Sequence, residues 1–283
     1  MVFESVFEEL DGAYAENTLR AYRTDLNRFI DWLITHDQDP TGASHLNLID
    51  YLESGCGGLC FASIQRTVAA IGTIYHYAEL SDPTKHPKVK LTLKKLNRIK
   101  GNQQKQAKPL TQDLFERLLQ LCDPQTPIGL RNQVLLTLGH ETMRRRTELI
   151  NFCFNDLRVS ASGSCGILLK RSKTDQAGHG RIIPISDELA GLIKSWQSIT
   201  GDGFILRGVK RGGEITDSLA PESVNRILKR LESQLSDKQP VLSGHSFRVG
   251  KTVDMIENGF TLEQIALAGG WTSAKTVFRY AQS

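Results

Sequence analysis

Apolar residues recur every three or four positions through residues 17–33: Leu19, Tyr22, Leu26, Phe29, Ile30 and Leu33, with Arg20, Arg23 and Arg28 between them. That spacing predicts an amphipathic helix, and Asn17 or Thr18 can cap its start. The same period predicts helices over 47–53 and 61–80. The second carries Ile64, Val68, Ile71, Ile74 and Tyr75, with Arg66 among them, and Ser81-Asp82-Pro83 ends it. These residues read as a small helical bundle. A second block opens at Pro109, with Thr111 as the expected N-cap of a helix over 112–121. A strongly apolar helix over 130–139 runs towards Arg144-Arg145-Arg146. Residues 166–169 and 181–185 flank a Gly-rich turn and read as a hairpin. Helices are predicted over 188–196, 221–235, 246–258, 261–268 and 273–280. The chain is therefore mainly α, with a mixed α/β second block that holds one small sheet. No internal repeat is visible.

Composition adds bounds rather than detail. At 283 residues, 40% apolar and 23% charged, the chain suits a soluble protein of two domains. No run approaches the ~18 apolar residues of a membrane span, and the acidic N-terminus is unlike a secretory signal. A cytoplasmic setting is expected, with the five cysteines reduced. Cys56 and Cys60 lie four apart without a second Cys/His pair at zinc spacing, so a turn-packing pair is expected there and no metal.

Charge is more informative. Residues 1–84 hold four Lys/Arg against thirteen Asp/Glu, and residues 85–108 hold nine Lys/Arg and no acid. Residues 109–283 are nearly balanced, at twenty-two against eighteen. The expected organisation is a helical domain at 1–84, a basic linker at 85–108 with a short helix over 89–99, and a second domain at 109–283. A basic segment between two foldable blocks suits a strap across a polyanion, although a solvated segment has the same composition.

The chemistry-bearing residues cluster late. Arg144-Arg145-Arg146 is expected at the end of the apolar helix, and Glu148, three after Arg145, can lie on the same helix face and steady it. The triplet reads either as a surface basic patch or as a phosphate clamp, since guanidinium forks onto two oxygens. Lys170 to Asp175 form the hairpin tip, where Lys173 could place an ammonium beside a leaving oxygen. Ser243-Gly244-His245-Ser246-Phe247-Arg248 sets His245 and Arg248 one turn apart at a helix start, a natural anion site. Ala268-Gly269-Gly270-Trp271 and then Tyr280 follow. A proton carrier, fixed cations, an indole donor and a hydroxyl nucleophile together suit attack on a phosphodiester.

The ordered set Arg145, Lys173, His245, Arg248, Trp271 and Tyr280 resembles the tyrosine recombinase (phage integrase) family, and within it the Cre-like recombinases. Ser243 to Ser246, Arg248-Val249-Gly250, Asp254-Met255 and Ala268 to Thr272 carry the likeness most closely. Asn17-Thr18-Leu19, Tyr22, Asp25-Leu26, Phe29 and Trp32 resemble the first helix of that family's core-binding domain. The resemblance implies a SAM-like core-binding domain followed by a catalytic domain of the tyrosine recombinase fold.

It also implies roles. Tyr280 would form a 3′-phosphotyrosyl link, with Arg145 and Arg248 on the nonbridging oxygens. Lys173 would protonate the departing 5′-oxygen, His245 would act as acid/base, Trp271 would donate its indole N–H, and Glu148 would support. No cofactor and no metal are implied. The implied partners are double-stranded DNA with an inverted-repeat site and three further copies in a synaptic homotetramer, the free protein being monomeric. Arg20, Arg23, Arg28, Arg66, Lys94, Lys95 and Arg98 are the candidate DNA contacts, and the setting would be cytoplasmic and nucleoid-associated. Arg144 and Arg146 depart from the smaller or apolar residues usual beside the matched arginine. The chain runs three residues past Tyr280, without the docking helix usual in Cre-like recombinases, so weak tetramer formation is expected. A type IB topoisomerase or telomere resolvase, and a non-catalytic DNA-binding regulator, are the alternatives.

Overall fold

The computed structural model describes residues 2–101, 106–172, 178, 180–235, 239, 241–273, 277, 278 and 280. The chain divides into two compact units, Met1–Gln104 and Lys105–Ser283.

The first unit is all helix: α1 (Val2–Glu9), α2 (Glu16–Thr35), α3 (His45–Asp50), α4 (Phe61–Tyr77) and α5 (Pro87–Lys100). Leu26, Phe29 and Leu33 of α2 meet Ile64, Ile71, Ile74 and Tyr75 of α4 in one core. Each such side chain contributes ~1.5–3 kcal/mol on burial. The start of α2 differs from expectation. Ala15 is the N-cap and makes no side-chain cap bond, while Asn17 lies inside the helix and accepts from Arg20 at 2.7 Å. Ser44 and Asn47 cap α3 reciprocally, so that helix starts before residue 47 and runs into a π-turn at Tyr51–Gly55.

The basic segment expected to be a linker belongs largely to this unit. Helix α5 buries Val89, Thr92 and Leu96, an i, i+3, i+7 stripe, against the core. Lys88, Lys90, Lys94, Lys95 and Arg98 are exposed, while Lys100 donates to Gly57 O at 2.9 Å.

The second unit contains α6 (Gln112–Gln120), α7 (Pro127–Thr142), α8 (Arg146–Ile150), β1 (Leu157–Val159), β2 (Cys165–Leu169) and β3 (Arg181–Pro184). It continues with α9 (Asp187–Thr200), α10 (Pro221–Glu232), α11 (Ser246–Glu257) and α12 (Leu262–Gly269). The three strands form an antiparallel sheet in the order β1-β2-β3, with Ile167 opposite Leu157 and Ile183. Strand β1 was not foreseen; three residues leave no readable alternation.

Helix α7 is buried along most of its surface and runs through the core, burying Leu130, Val134, Leu135, Leu136 and Leu138 together with Arg131, Asn132 and His140. Thr126 caps its start, with Pro127 at the first helical position. Thr111 is the N-cap of α6 by position only. Asp254 Oδ1 of α11 accepts from the Gln112 N–H at 3.2 Å instead. A small third cluster joins Ile265 and Ala266 of α12 to Val277, with Trp271 packed on it.

Candidate active site

The site lies wholly in the second unit, where α7, α11 and α12 end or begin. Met143 closes α7 with a left-handed φ of 53°. A buried, non-glycine residue there is strained, and such strain persists only where the surroundings hold it. The Met143 carbonyl is held by Arg248, whose Nη1 donates to it at 2.5 Å.

The reversal sends the three arginines to different places. Arg145 becomes the N-cap residue of α8, with Glu148 three residues on. One Glu148 oxygen accepts from Arg145 Nη1 at 2.8 Å, and the other from the Arg145 backbone N–H at 3.1 Å. Glu148 thus fixes both the backbone and the fork of Arg145. Arg145, Arg146, Asn225, Ser243, Gly244 and His245 line a cavity of about 240 Å³. Arg146 is outermost, 3.9 Å from Glu222. Arg144 is 2% exposed. Its Nε donates to Thr142 O and its Nη2 to Ala268 O, each at 2.6 Å.

Arg248 is also buried, at 1% exposure. Nη1 donates to Met143 O and to Gly269 O, the latter at 3.0 Å, while Nη2 is buried without a hydrogen-bond partner. A buried donor left unmatched is costly and asks for an acceptor. Burial, then Arg145 and Arg144, push this guanidinium down to about 10, so it stays charged at neutral pH. Its carbon lies 4.2 Å from the centre of the Trp271 ring, a cation–π contact.

Tyr280 stands between His245 and Trp271. The ring centroids are 5.5 Å and 5.4 Å away. Its hydroxyl lies 3.1 Å from His245 Nε2. Burial, then Arg248 and Arg145, hold the imidazole below its ordinary value of 6.5. Neutral His245 can accept the phenol proton through Nε2. An NMR titration of the DNA-free protein should place His245 below 6.5, and Arg145→Gln should move it upward by removing one cation. A midpoint above 6.5 in the native chain would contradict this electrostatic picture.

The two glycines before Trp271 are spatial requirements. A Cβ on Gly269 would lie 1.9 Å from the indole, so only glycine lets the ring fold back onto α12. Gly270 adopts a left-handed φ of 65°, and a Cβ there would meet Arg144 Nη1 at 2.7 Å.

Arg145, Glu148, His245, Arg248, Trp271 and Tyr280 are therefore brought together. Lys173 lies outside the described residues. Lys170, directly after β2, pairs with buried Asp156 at 2.7 Å. Among the described residues, no group of three or more His, Cys, Asp or Glu could hold a metal ion.

In the first unit several candidate cations already have partners. Arg66 makes two bonds, at 2.6 and 3.0 Å, to Asp25, whose carboxylate is fully buried. Arg23 pairs with Glu4 and lies over Phe7. Lys94, Lys95 and Arg98 are exposed along α5, and Arg28 is exposed on α2. Among the described residues, no helix is long and apolar enough to cross a membrane.

Comparison with known proteins gives a consistent picture. Residues 108–283 match the phage integrase family model, and residues 7–81 match the phage integrase N-terminal SAM-like domain. The integrase/recombinase xerD homolog of Selenomonas ruminantium is 27% identical over 285 residues, covering 96% of this chain and 83% of its own length. The recombinase cre of Escherichia phage P1 is 22% identical over 292 residues, covering 96% and 85%. The fold matches a lambda integrase tetramer bound to a Holliday junction with a TM-score of 0.66, at 14% identity, over 99% of this chain and 76% of that one.

Proposed function

The chain belongs to the phage integrase family, and on that premise we propose that it is a site-specific DNA recombinase working through a covalent phosphotyrosine. One observation carries the reading: the Tyr280 hydroxyl lies 3.1 Å from the neutral imidazole of His245, beside Arg248 with its unmatched Nη2.

The steps follow from that geometry. His245 Nε2 takes the phenolic proton as the Tyr280 oxygen forms a bond to phosphorus. The bond from phosphorus to the 5′-oxygen breaks, and that oxygen is protonated, a role assigned to Lys173. The 3′-phosphate stays on Tyr280, so the bond energy is kept and a 5′-hydroxyl can reverse the step without a nucleotide. Arg145 and Arg248 receive the charge that grows on the nonbridging oxygens, where preorganised donors count most. Trp271 flanks both Arg248 and Tyr280.

The partner is double-stranded DNA bearing inverted repeats. Each protomer has one such tyrosine, and exchanging two duplexes requires four strand cuts. The working assembly is accordingly a homotetramer on DNA that forms from monomers. The reaction takes place at the nucleoid, in the cytoplasm. Incubation with a nicked suicide duplex should trap a slow-migrating adduct on a denaturing gel. Strand exchange between two sites separates a recombinase from a topoisomerase, and a chain that binds DNA but never forms an adduct is a regulator.

Lys94, Lys95 and Arg98 are exposed along α5, and phosphate contacts there would make the DNA reading measurable. Replacing Lys94, Lys95 and Arg98 with Gln should flatten the log–log salt dependence of binding by about two to three units, at roughly −0.9 per phosphate contact. An unchanged slope would mean that this helix face meets solvent in the complex.

A further inference from the structure

The end of α12 has an uncommon hydrogen-bond ledger. A helix leaves its last four carbonyls without partners inside the helix, and buried ones must find partners elsewhere. Here Ala266 O accepts from the Trp271 N–H at 2.9 Å, which folds the chain back on itself. The next three carbonyls each accept from a different arginine. Leu267 O takes Arg181 Nη2 at 2.6 Å, Ala268 O takes Arg144 Nη2 at 2.6 Å, and Gly269 O takes Arg248 Nη1 at 3.0 Å. Those arginines come from β3, from the reversal after α7, and from α11. They tie one helical turn to strand β3, the loop of Arg145 and the helix of His245. Directly after that turn come Gly270 and Trp271, and Trp271 touches both Arg248 and Tyr280.

We propose that Arg144 and Arg181 are positioning residues for the nucleophile: together with Arg248 they clamp the last turn of α12, and through Trp271 they hold Tyr280 at its attacking position. Neither residue touches Tyr280 in the contacts described above, and each acts through a backbone carbonyl. Arg144 is the stronger arm. It is buried, it grips Thr142 O as well as Ala268 O, and its guanidinium fills the space that Gly270 leaves by lacking a Cβ. Among the described residues the Arg181 side chain makes one hydrogen bond, at a more open edge. The inference rests on the reading of Tyr280 as nucleophile, and the experiment keeps the two separable.

The test uses Arg144→Met, Arg181→Met and the double variant in the full chain, with Arg117→Met on α6 as control. Single-turnover cleavage of the suicide duplex is measured at saturating protein, beside DNA affinity and amide exchange. Arg144→Met should slow cleavage by on the order of 10²-fold, the cost of a small displacement of a reacting group. DNA affinity should hold within about twofold, because uniform binding is untouched. Arg181→Met should cost less, and Arg181→Lys should restore most of the rate, since one ammonium serves one carbonyl. Arg144→Lys should restore less, because a point ammonium cannot span two. The amides from Ala268 to Trp271, with those of Val277, Phe278 and Tyr280, should exchange faster while the core of the unit keeps its protection. Unchanged cleavage in the double variant would overturn the proposal. So would faster exchange spread evenly over the unit, which would mark a general loss of stability. If Arg144→Met fails to fold, the Arg181 pair of variants carries the test alone. Absence of an adduct from the native chain would refute the recombinase reading, and the exchange measurements would still decide the clamp.

Discussion

Tyr280→Phe should bind DNA with unchanged affinity and form no covalent adduct. The substitution removes one oxygen and leaves the ring, so the packing beside Trp271 and His245 survives. What disappears is the atom that bonds to phosphorus and its contact with His245 at 3.1 Å. Among the described residues no other hydroxyl is hydrogen-bonded to His245 Nε2, and a carbon–hydrogen edge has no nucleophilic lone pair. On a nicked suicide duplex the native chain should give a slow-migrating band and the Phe variant none. An adduct from the variant would assign the nucleophile elsewhere.

Arg145→Lys should lower the cleavage rate by on the order of 10²-fold, the usual cost of removing one donor to a developing oxyanion. Charge is retained, so electrostatics alone predicts little change. Geometry predicts the loss. Glu148 engages one end of the guanidinium at 2.8 Å and leaves the rest of the fork facing the cavity beside His245. A lysine can pair with Glu148 or reach a phosphate, but its single nitrogen cannot do both in the same plane. Arg146→Lys should lose no more than about tenfold, because that side chain stands at the rim, 3.9 Å from Glu222. A reversed order of severity would move the phosphate contact to Arg146.

Much of the fold was legible because burial has a period. The stripe of Leu26, Phe29 and Leu33 and the stripe of Ile64, Ile71 and Ile74 form the core of the first unit. The hairpin strands were legible from their alternation and the Gly-rich turn between them. Helix α5 was half legible. Val89, Thr92 and Leu96 carry its packing stripe, but nine basic residues in the segment drew attention to charge rather than to burial. The neighbourhood of His245, Arg248, Trp271 and Tyr280 was recognisable as an ordered set, since each residue type has its own chemistry. Arg144 looked like an odd neighbour of Arg145, and Arg181 was only a strand residue. Their partners are backbone carbonyls 124 and 86 positions away. A carbonyl is present at every residue, so such a contact leaves no mark in the chain's pattern.

Guanidinium groups are commonly secured by carboxylates, and a carboxylate cancels the charge it secures. The carbonyls of Leu267, Ala268 and Gly269 secure three of them with neutral oxygen. Among the described residues no carboxylate is ion-paired with Arg144, Arg181 or Arg248, and Glu148, which pairs with Arg145, acts on Arg144 and Arg248 only through its field. The same arrangement has a thermal signature. In the DNA-free protein Arg248 feels repulsion from Arg145 and Arg144, and Arg144 feels it from Arg181 and Arg145, each after the larger effect of burial. A small multivalent anion relieves that repulsion by binding the folded form alone. Sulfate should therefore raise the melting temperature of the native chain more than it raises that of Arg248→Gln, at matched ionic strength. Equal shifts in the two proteins would show that the anion acts on the general surface.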